Sequence, residues 1–176
     1  MIEFLKRLIL FFEKHHIEYM LSGSVAMSIY VLPRSTKDFD FVVHLKPTDM
    51  DALTNYFQQG YYCDKDAVKE AVRTGGMFNI IDFKSGYKAD MIVLRSDQFR
   101  QEEFRRRKQV DFMNLKISVV TAEDLLISKL IWIQQLQSDI QKADIKELCK
   151  SPGLDLTYIN YWISSLKLNT FGLLDK

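Results

Sequence analysis

Cysteine, proline and glycine are all scarce in this chain. Its two cysteines, Cys63 and Cys149, are too few for a disulfide framework and lack the spacing of metal ligands. That usage fits a reducing compartment, and a cytoplasmic location is expected. With three prolines and seven glycines in 176 residues, no flexible linker or fibrous pattern is present. Repeats and low-complexity tracts are absent too, so no sharp boundary cuts the sequence. No apolar run approaches the length of a membrane span. The apolar stretch from Met1 to His16 is interrupted by Glu3, Lys6, Arg7 and Glu13, unlike the core of a signal peptide, and no membrane partner is expected. An excess of charge of either sign is also missing. Basic residues number 24 and acidic residues 23, so any affinity for nucleic acid has to be local.

What remains is the composition of a globular domain, 47% hydrophobic and 27% charged, long enough to bury a core. Its most informative stretch is Gly23-Ser24 followed by Arg34-Ser-Thr-Lys-Asp38-Phe-Asp40-Phe-Val-Val. The second part reads as a strand, and alternate strand residues share a face, so Asp38 and Asp40 point the same way. Two neighbouring carboxylates repel unless a proton or a cation lies between them. Mg²⁺ takes such oxygen ligands and leaves positions open for phosphates. A solvent-facing edge strand is the plainer alternative. Upstream, the strand Ile17 to Leu21, the turn at Ser22-Gly23-Ser24 and a short helix from Val25 to Val31, stopped ahead of Pro33, offer backbone amides and a hydroxyl to an anion.

Along the rest of the chain, Ile2, Leu5, Leu8, Ile9 and Phe12 form one stripe of an N-terminal helix that His15 and His16 close. A helix is expected over 47–59, ended by Gly60, and another over 66–73. Met77 to Phe83 and Tyr87 to Leu94 read as a hairpin around Lys84-Ser85-Gly86. In its second strand, Ala89, Met91 and Val93 share one face, while Lys88, Asp90 and Ile92 share the other. Asp90 entering the site of Asp38 and Asp40 would complete a two-metal centre. Asp82 is a rival, expected to face water beside the turn. Residues 95–108 read as a polar helix whose Arg100, Arg105, Arg106 and Arg107 form either a solvated face or a track for RNA phosphates. Leu115 to Val120 is read as the last strand, and Thr121 with Asp124 as a capping box. On the helix that follows, Lys129 falls on the apolar stripe, where an ammonium either snorkels out or meets an anion. Asp144 heads a helix over 145–149, and a final helix over 156–168 carries Tyr158, Tyr161 and Trp162, aromatics expected in the core.

Gly23-Ser24, the spacing to Asp38-Phe-Asp40 and the later Asp90 resemble the nucleotidyltransferase superfold of polymerase beta type. The segment Thr121-Ala-Glu-Asp-Leu-Leu-Ile-Ser-Lys129-Leu, with Asp139 and Asp144 downstream, resembles the AbiEii-type branch of toxin nucleotidyltransferases in toxin–antitoxin systems. The two resemblances reach to Cys149. Where that branch usually has an arginine beyond the lysine, this chain has Gln134, Gln135 and Gln137. The resemblance implies an α+β fold with a mixed, mainly antiparallel sheet flanked by helices. Residues 1–120 would form the catalytic core and 121–176 a helical segment packed on it. It also implies transfer of NMP from an NTP, with two Mg²⁺ ions expected, to an acceptor hydroxyl such as the 3′ end of tRNA or another RNA. An antitoxin protein would be the partner. Carried over by position, Gly23 and Ser24 grip the triphosphate, and Asp38 and Asp40 bind metal and triphosphate. Asp90 serves as general base or shared metal ligand, and Lys129 meets the phosphates. Transfer to an antibiotic or other small molecule, and a degenerate nucleotide-binding module, are the alternatives.

Overall fold

The computed structural model describes residues 1–31 and 35–174; the stop expected at Pro33 lies outside them. In chain order the elements are α1 (Ile2–Lys14), β1 (Tyr19–Ser22), α2 (Gly23–Met27), β2 (Asp38–Val43), a 3₁₀ turn (Pro47–Asp49), α3 (Met50–Tyr56), β3 (Tyr61–Cys63) and α4 (Lys65–Thr74). They continue with β4 (Met77–Asp82), β5 (Lys88–Val93), α5 (Gln98–Arg105), β6 (Lys108–Phe112), β7 (Leu115–Val119), α6 (Ala122–Ile133), α7 (Asp139–Leu148) and α8 (Leu156–Ser165). The strands form one mixed sheet in the order β3-β4-β5-β2-β1-β7-β6. β2 runs parallel to β5, and β1 parallel to β7; the other neighbours are antiparallel.

The alternation in β2 decides which way the sheet faces. Phe39 and Phe41 are 1% and 0% exposed, packed beneath α1, where Phe12 meets Phe41 at 5.5 Å between ring centroids and Phe4 meets Phe39 at 6.1 Å. Burying each ring contributes about 1.5–3 kcal/mol. With the odd positions of β2 committed to this core, Asp38 and Asp40 must project from the opposite face. The same logic holds in β5, where Ala89 and Met91 are fully buried and Asp90 takes the other face. Helix α6 is apolar nearly all round, with Leu125, Leu126, Ile127, Leu130 and Ile133 buried, as befits a helix enclosed by other elements.

Several elements differ from expectation. The helix expected over 95–108 is confined to Gln98–Arg105, and Lys108 opens an extra strand. That strand pairs with β7 around Met113-Asn114, both at positive φ (51° and 62°), the conformation of a tight hairpin turn. The two-residue turn has no glycine to announce it. The short edge strand β3 was also unanticipated. Asp144 lies inside α7, which starts earlier with Ser138 as its cap. Asp82 is buried rather than water-facing, its carboxylate accepting from Ser85 Oγ (2.5 Å) and the Lys84 amide (3.1 Å) to close the turn.

One buried ionic cluster ties three helices together. Asp124 is fully buried and accepts from Thr121 Oγ1 (2.6 Å), Arg106 Nε (3.0 Å) and Tyr158 OH (2.5 Å). Thr121 caps α6 as expected, its hydroxyl accepting from the Asp124 amide (3.2 Å), while the Asp124 carboxylate takes that hydroxyl and also reaches α5 and α8. Arg106 also stacks 3.9 Å above the Tyr158 ring centroid. Replacing Asp124 with alanine strands a partly buried guanidinium, so Asp124→Ala is expected to cost about 3–5 kcal/mol. Tyr158→Phe, which removes one hydrogen bond, should cost about 1–3 kcal/mol. The midpoints of urea denaturation check both values.

Candidate functional site

At the end of β1 the chain turns through Gly23, whose φ of +63° belongs to the left-handed region. Glycine is needed here for a second reason: a Cβ on Gly23 would collide with the Asp40 carboxylate. The β1–α2 turn and the β2 acid are thus packed against each other without an intervening side chain. Ser22 is the register partner of Asp40 across the antiparallel pair. On its other side β2 pairs in parallel with β5, placing Asp40 beside Asp90 and Asp38 beside Lys88. Asp38, Asp40 and Asp90 therefore share one face of two adjacent strands, as the alternation predicts.

These residues line a cleft of about 680 Å³ together with Gly23, Ser24 and Lys129. Burial, with the charge of Asp90 adding to it, pushes the Asp40 carboxyl above the usual carboxylate range, and Lys129 partly offsets the shift. Asp90 itself is held on both oxygens. Asn79 donates to one, and Lys88 Nζ lies 2.9 Å from the other. The same ammonium is 3.9 Å from Asp38 Oδ1. The hydrogen bond to Asp90 raises the Lys88 pKa above its ordinary value, so Lys88 is a cation at neutral pH. Among the described residues, no three carboxylate, imidazole or thiol side chains converge as a ready-made metal shell.

Lys129 is 7% exposed and turns inward from α6. Its Nζ meets Asp144 Oδ2 at 2.8 Å and Gln141 Oε1 at 3.4 Å, joining α6 to α7 at the cleft wall. The ammonium on the apolar stripe has met an anion of the protein itself. A second buried pair lines the cleft: Arg100 Nη1 donates to Glu103 (2.8 Å) and to Ser128 Oγ (2.6 Å). Burial pushes the Glu103 carboxyl up, against the pull of Arg100.

The four arginines considered as an RNA track do not make one stripe. Of the four, only Arg100 lines the cleft of the carboxylates. Arg105 pairs with Glu102 at 2.6 Å, Arg106 with Asp124, and Arg107 with Glu18 at 2.6 Å. Tyr158, Tyr161 and Trp162 border a separate groove with Arg105 and Arg107; Trp162 is buried, while Tyr161 is 56% exposed. Sequence reasoning gave no role to Asn79, Lys88 or Glu103. Lys88 was legible, lying two residues before Asp90 on the same strand face, whereas Asn79 and Glu103 are recognisable only from their spatial neighbours.

The backbone is similar to those of several solved nucleotidyltransferase-type structures. The solution structure of the antibiotic-resistance factor ANT(2'')-Ia aligns with a TM-score of 0.62 at 7% identity, over 93% of this chain and 89% of that one. ANT(2'')-Ia in complex with adenylyl-2''-tobramycin gives 0.62 at 7%, over 94% and 95%. The lincomycin-bound lincosamide antibiotic adenylyltransferase LnuA gives 0.57 at 13%, over 83% and 94%. At such identities the likeness is one of fold, and the α+β architecture is the nucleotidyltransferase fold. No family model matches the chain, and no curated protein does.

Two substitutions probe this geometry. Gly23→Ala is expected to lose about 1–2 kcal/mol from left-handed strain alone and to displace Asp40 as well. Lys129→Ala removes a partner of the buried Asp144 carboxylate, so the variant should fold with reduced stability. A loss of about 1–3 kcal/mol is expected. Thermal unfolding of both variants against wild type measures these losses.

Proposed function

We propose that this protein transfers a nucleotidyl group from a nucleoside triphosphate to an acceptor hydroxyl. The observation that carries the reading is the placement of Asp38, Asp40 and Asp90 on one sheet face, in a cleft shared with the Gly23-Ser24 turn and Lys129. The donor set suits a hard divalent cation such as Mg²⁺: carboxylate oxygens from adjacent strands, with Asp40 raised in pKa by burial and by a like charge that a cation would relieve. Asp38 and Asp40 are the residues that would hold it. A bound ion there would neutralise the triphosphate and make the α-phosphorus a better electrophile.

The chain's own groups divide the remaining work. The backbone at Gly23-Ser24 and the Ser24 hydroxyl orient the phosphates, and Lys129 contributes positive charge from the opposite wall. Asp90, fixed by Asn79 and Lys88, takes the proton of the acceptor hydroxyl. The acceptor oxygen forms a bond to the α-phosphorus while the bond to the bridging oxygen breaks. Pyrophosphate leaves with that electron pair. Positioning and charge neutralisation supply most of the acceleration in such transfers.

A small molecule is the acceptor this cleft suits best. Among the described residues, Arg105, Arg106 and Arg107 are engaged with carboxylates of the protein and lie off the cleft, so these three form no basic track along it. Structures of similar fold hold lincomycin and adenylyl-tobramycin. The second reading is an RNA 3′ end, with an antitoxin partner. It rests on the AbiEii-like segment from Thr121 to Leu130 and on Arg100 in the cleft wall.

The deciding experiment offers each labelled NTP, with Mg²⁺, to aminoglycosides, lincosamides, total RNA and protein. Label on a small-molecule hydroxyl with release of pyrophosphate is expected. Asp40→Asn should lower the rate about 10²–10³-fold, the usual loss for one electrostatic stabiliser. Label on RNA would move the acceptor to the second reading. Thermal stabilisation by NTP without pyrophosphate release from any mixture would leave a nucleotide-binding module.

A further inference from the structure

The least expected group beside the three acids is Lys88. It stands on β5 with its ammonium between Asp90 (2.9 Å) and Asp38 (3.9 Å), the two acids that a second cation would share. Its side chain is 35% exposed, against 14% for Asp90 and 51% for Asp38, so the ammonium lies at the solvent-facing side of Asp90. The position follows from the fold: Lys88 is the register partner of Asp38 and the same-face neighbour of Asp90. It reaches both acids without crossing the sheet. Asn79, opposite Asp90 on β4, occupies the other Asp90 oxygen. A metal ion sharing Asp90 would meet the Lys88 ammonium at 2.9 Å from the oxygen it binds, and like charge opposes it there.

Resting on the nucleotidyltransferase reading above, we infer that Lys88 takes the place of a second metal ion, so that the site works with one divalent cation and one lysine. The charges agree with this assignment. Asp38, Asp40 and Asp90 carry three negative charges and Lys88 one positive, leaving two for a single divalent cation at Asp38 and Asp40. Lys88 touches the acid proposed to receive the acceptor's proton. It holds that carboxylate in place, and a cation at Asp38 and Asp40 would serve the triphosphate. Removing the ammonium uncovers oxygens on two adjacent strands that a hard cation can bridge.

The test counts Mn²⁺ per bound nucleotide by electron paramagnetic resonance, with α,β-methylene-ATP as the non-reacting nucleotide. Wild type is expected to bind one Mn²⁺, Lys88→Arg one, and Lys88→Met two, with the second ion held at least tenfold more tightly than by wild type. Thermal unfolding without ligand establishes that both variants are folded, and Lys88→Arg preserves the charge should Lys88→Met prove unstable. Two Mn²⁺ ions in wild type, two in Lys88→Arg, or one in Lys88→Met would overturn the inference while leaving the nucleotidyltransferase reading in place. Nucleotide and Mn²⁺ binding that Asp40→Asn leaves unchanged would instead remove the reading itself, and the role of Lys88 with it.

Discussion

The strict alternation of β2 is the constraint on which the cleft depends. Phe39 and Phe41 are locked beneath α1, and a strand has only two faces, so the acids between them have no freedom to turn inward. A shift of one residue in register would bury two carboxylates and expose two phenylalanines. The cost of that exchange holds Asp38 and Asp40 in place more firmly than any contact the acids make themselves. β5 repeats the arrangement with smaller residues, and the parallel pairing of the two strands brings Asp90 level with Asp40.

Around this frame the protein compensates nearly every buried charge internally. Lys129 faces Asp144 and Arg106 faces Asp124, each pair joining two helices, while Arg100 and Glu103 pair within α5 and reach α6 through Ser128. Such pairs add little net stability, yet losing one partner is expensive, so they specify how the helices dock more than how tightly. In the acid cluster, by contrast, three carboxylates share one lysine and retain a surplus of negative charge. An enclosed surplus of one sign is the arrangement expected where charge is supplied from outside the chain.

Much of this could be read from the amino acids. The shared face of the two acids follows from a period of two, and the hairpin bearing Asp90 from its turn residues. The cost of leaving an ammonium in an apolar stripe left Lys129 two courses, to snorkel out or to meet an anion, and it meets Asp144. What escaped is what depends on partners distant in sequence. Arg106 and Arg107 belong to a charged run that reads as a solvated or phosphate-binding face, and nothing local reveals that Asp124 and Glu18 will claim them. β6 was concealed because its turn, Met113-Asn114, lacks glycine. Lys88 was visible on the right face, but its meaning required the register that sets it opposite Asp38.

That register also has a consequence for the order in which the molecule assembles. β1 and β2 are joined directly across an antiparallel pair and share the packing of α1, so they can form early from nearby segments. The β2–β5 pairing is parallel and has to wait for the return of the chain through α3, β3, α4 and β4. Closing a long loop is entropically slow, and pairings of this kind belong to the late, rate-limiting part of folding. The acids of the cleft therefore come face to face only when that long loop has closed. Their mutual repulsion opposes a chain already committed to its native topology, and it bears little on which fold the chain selects.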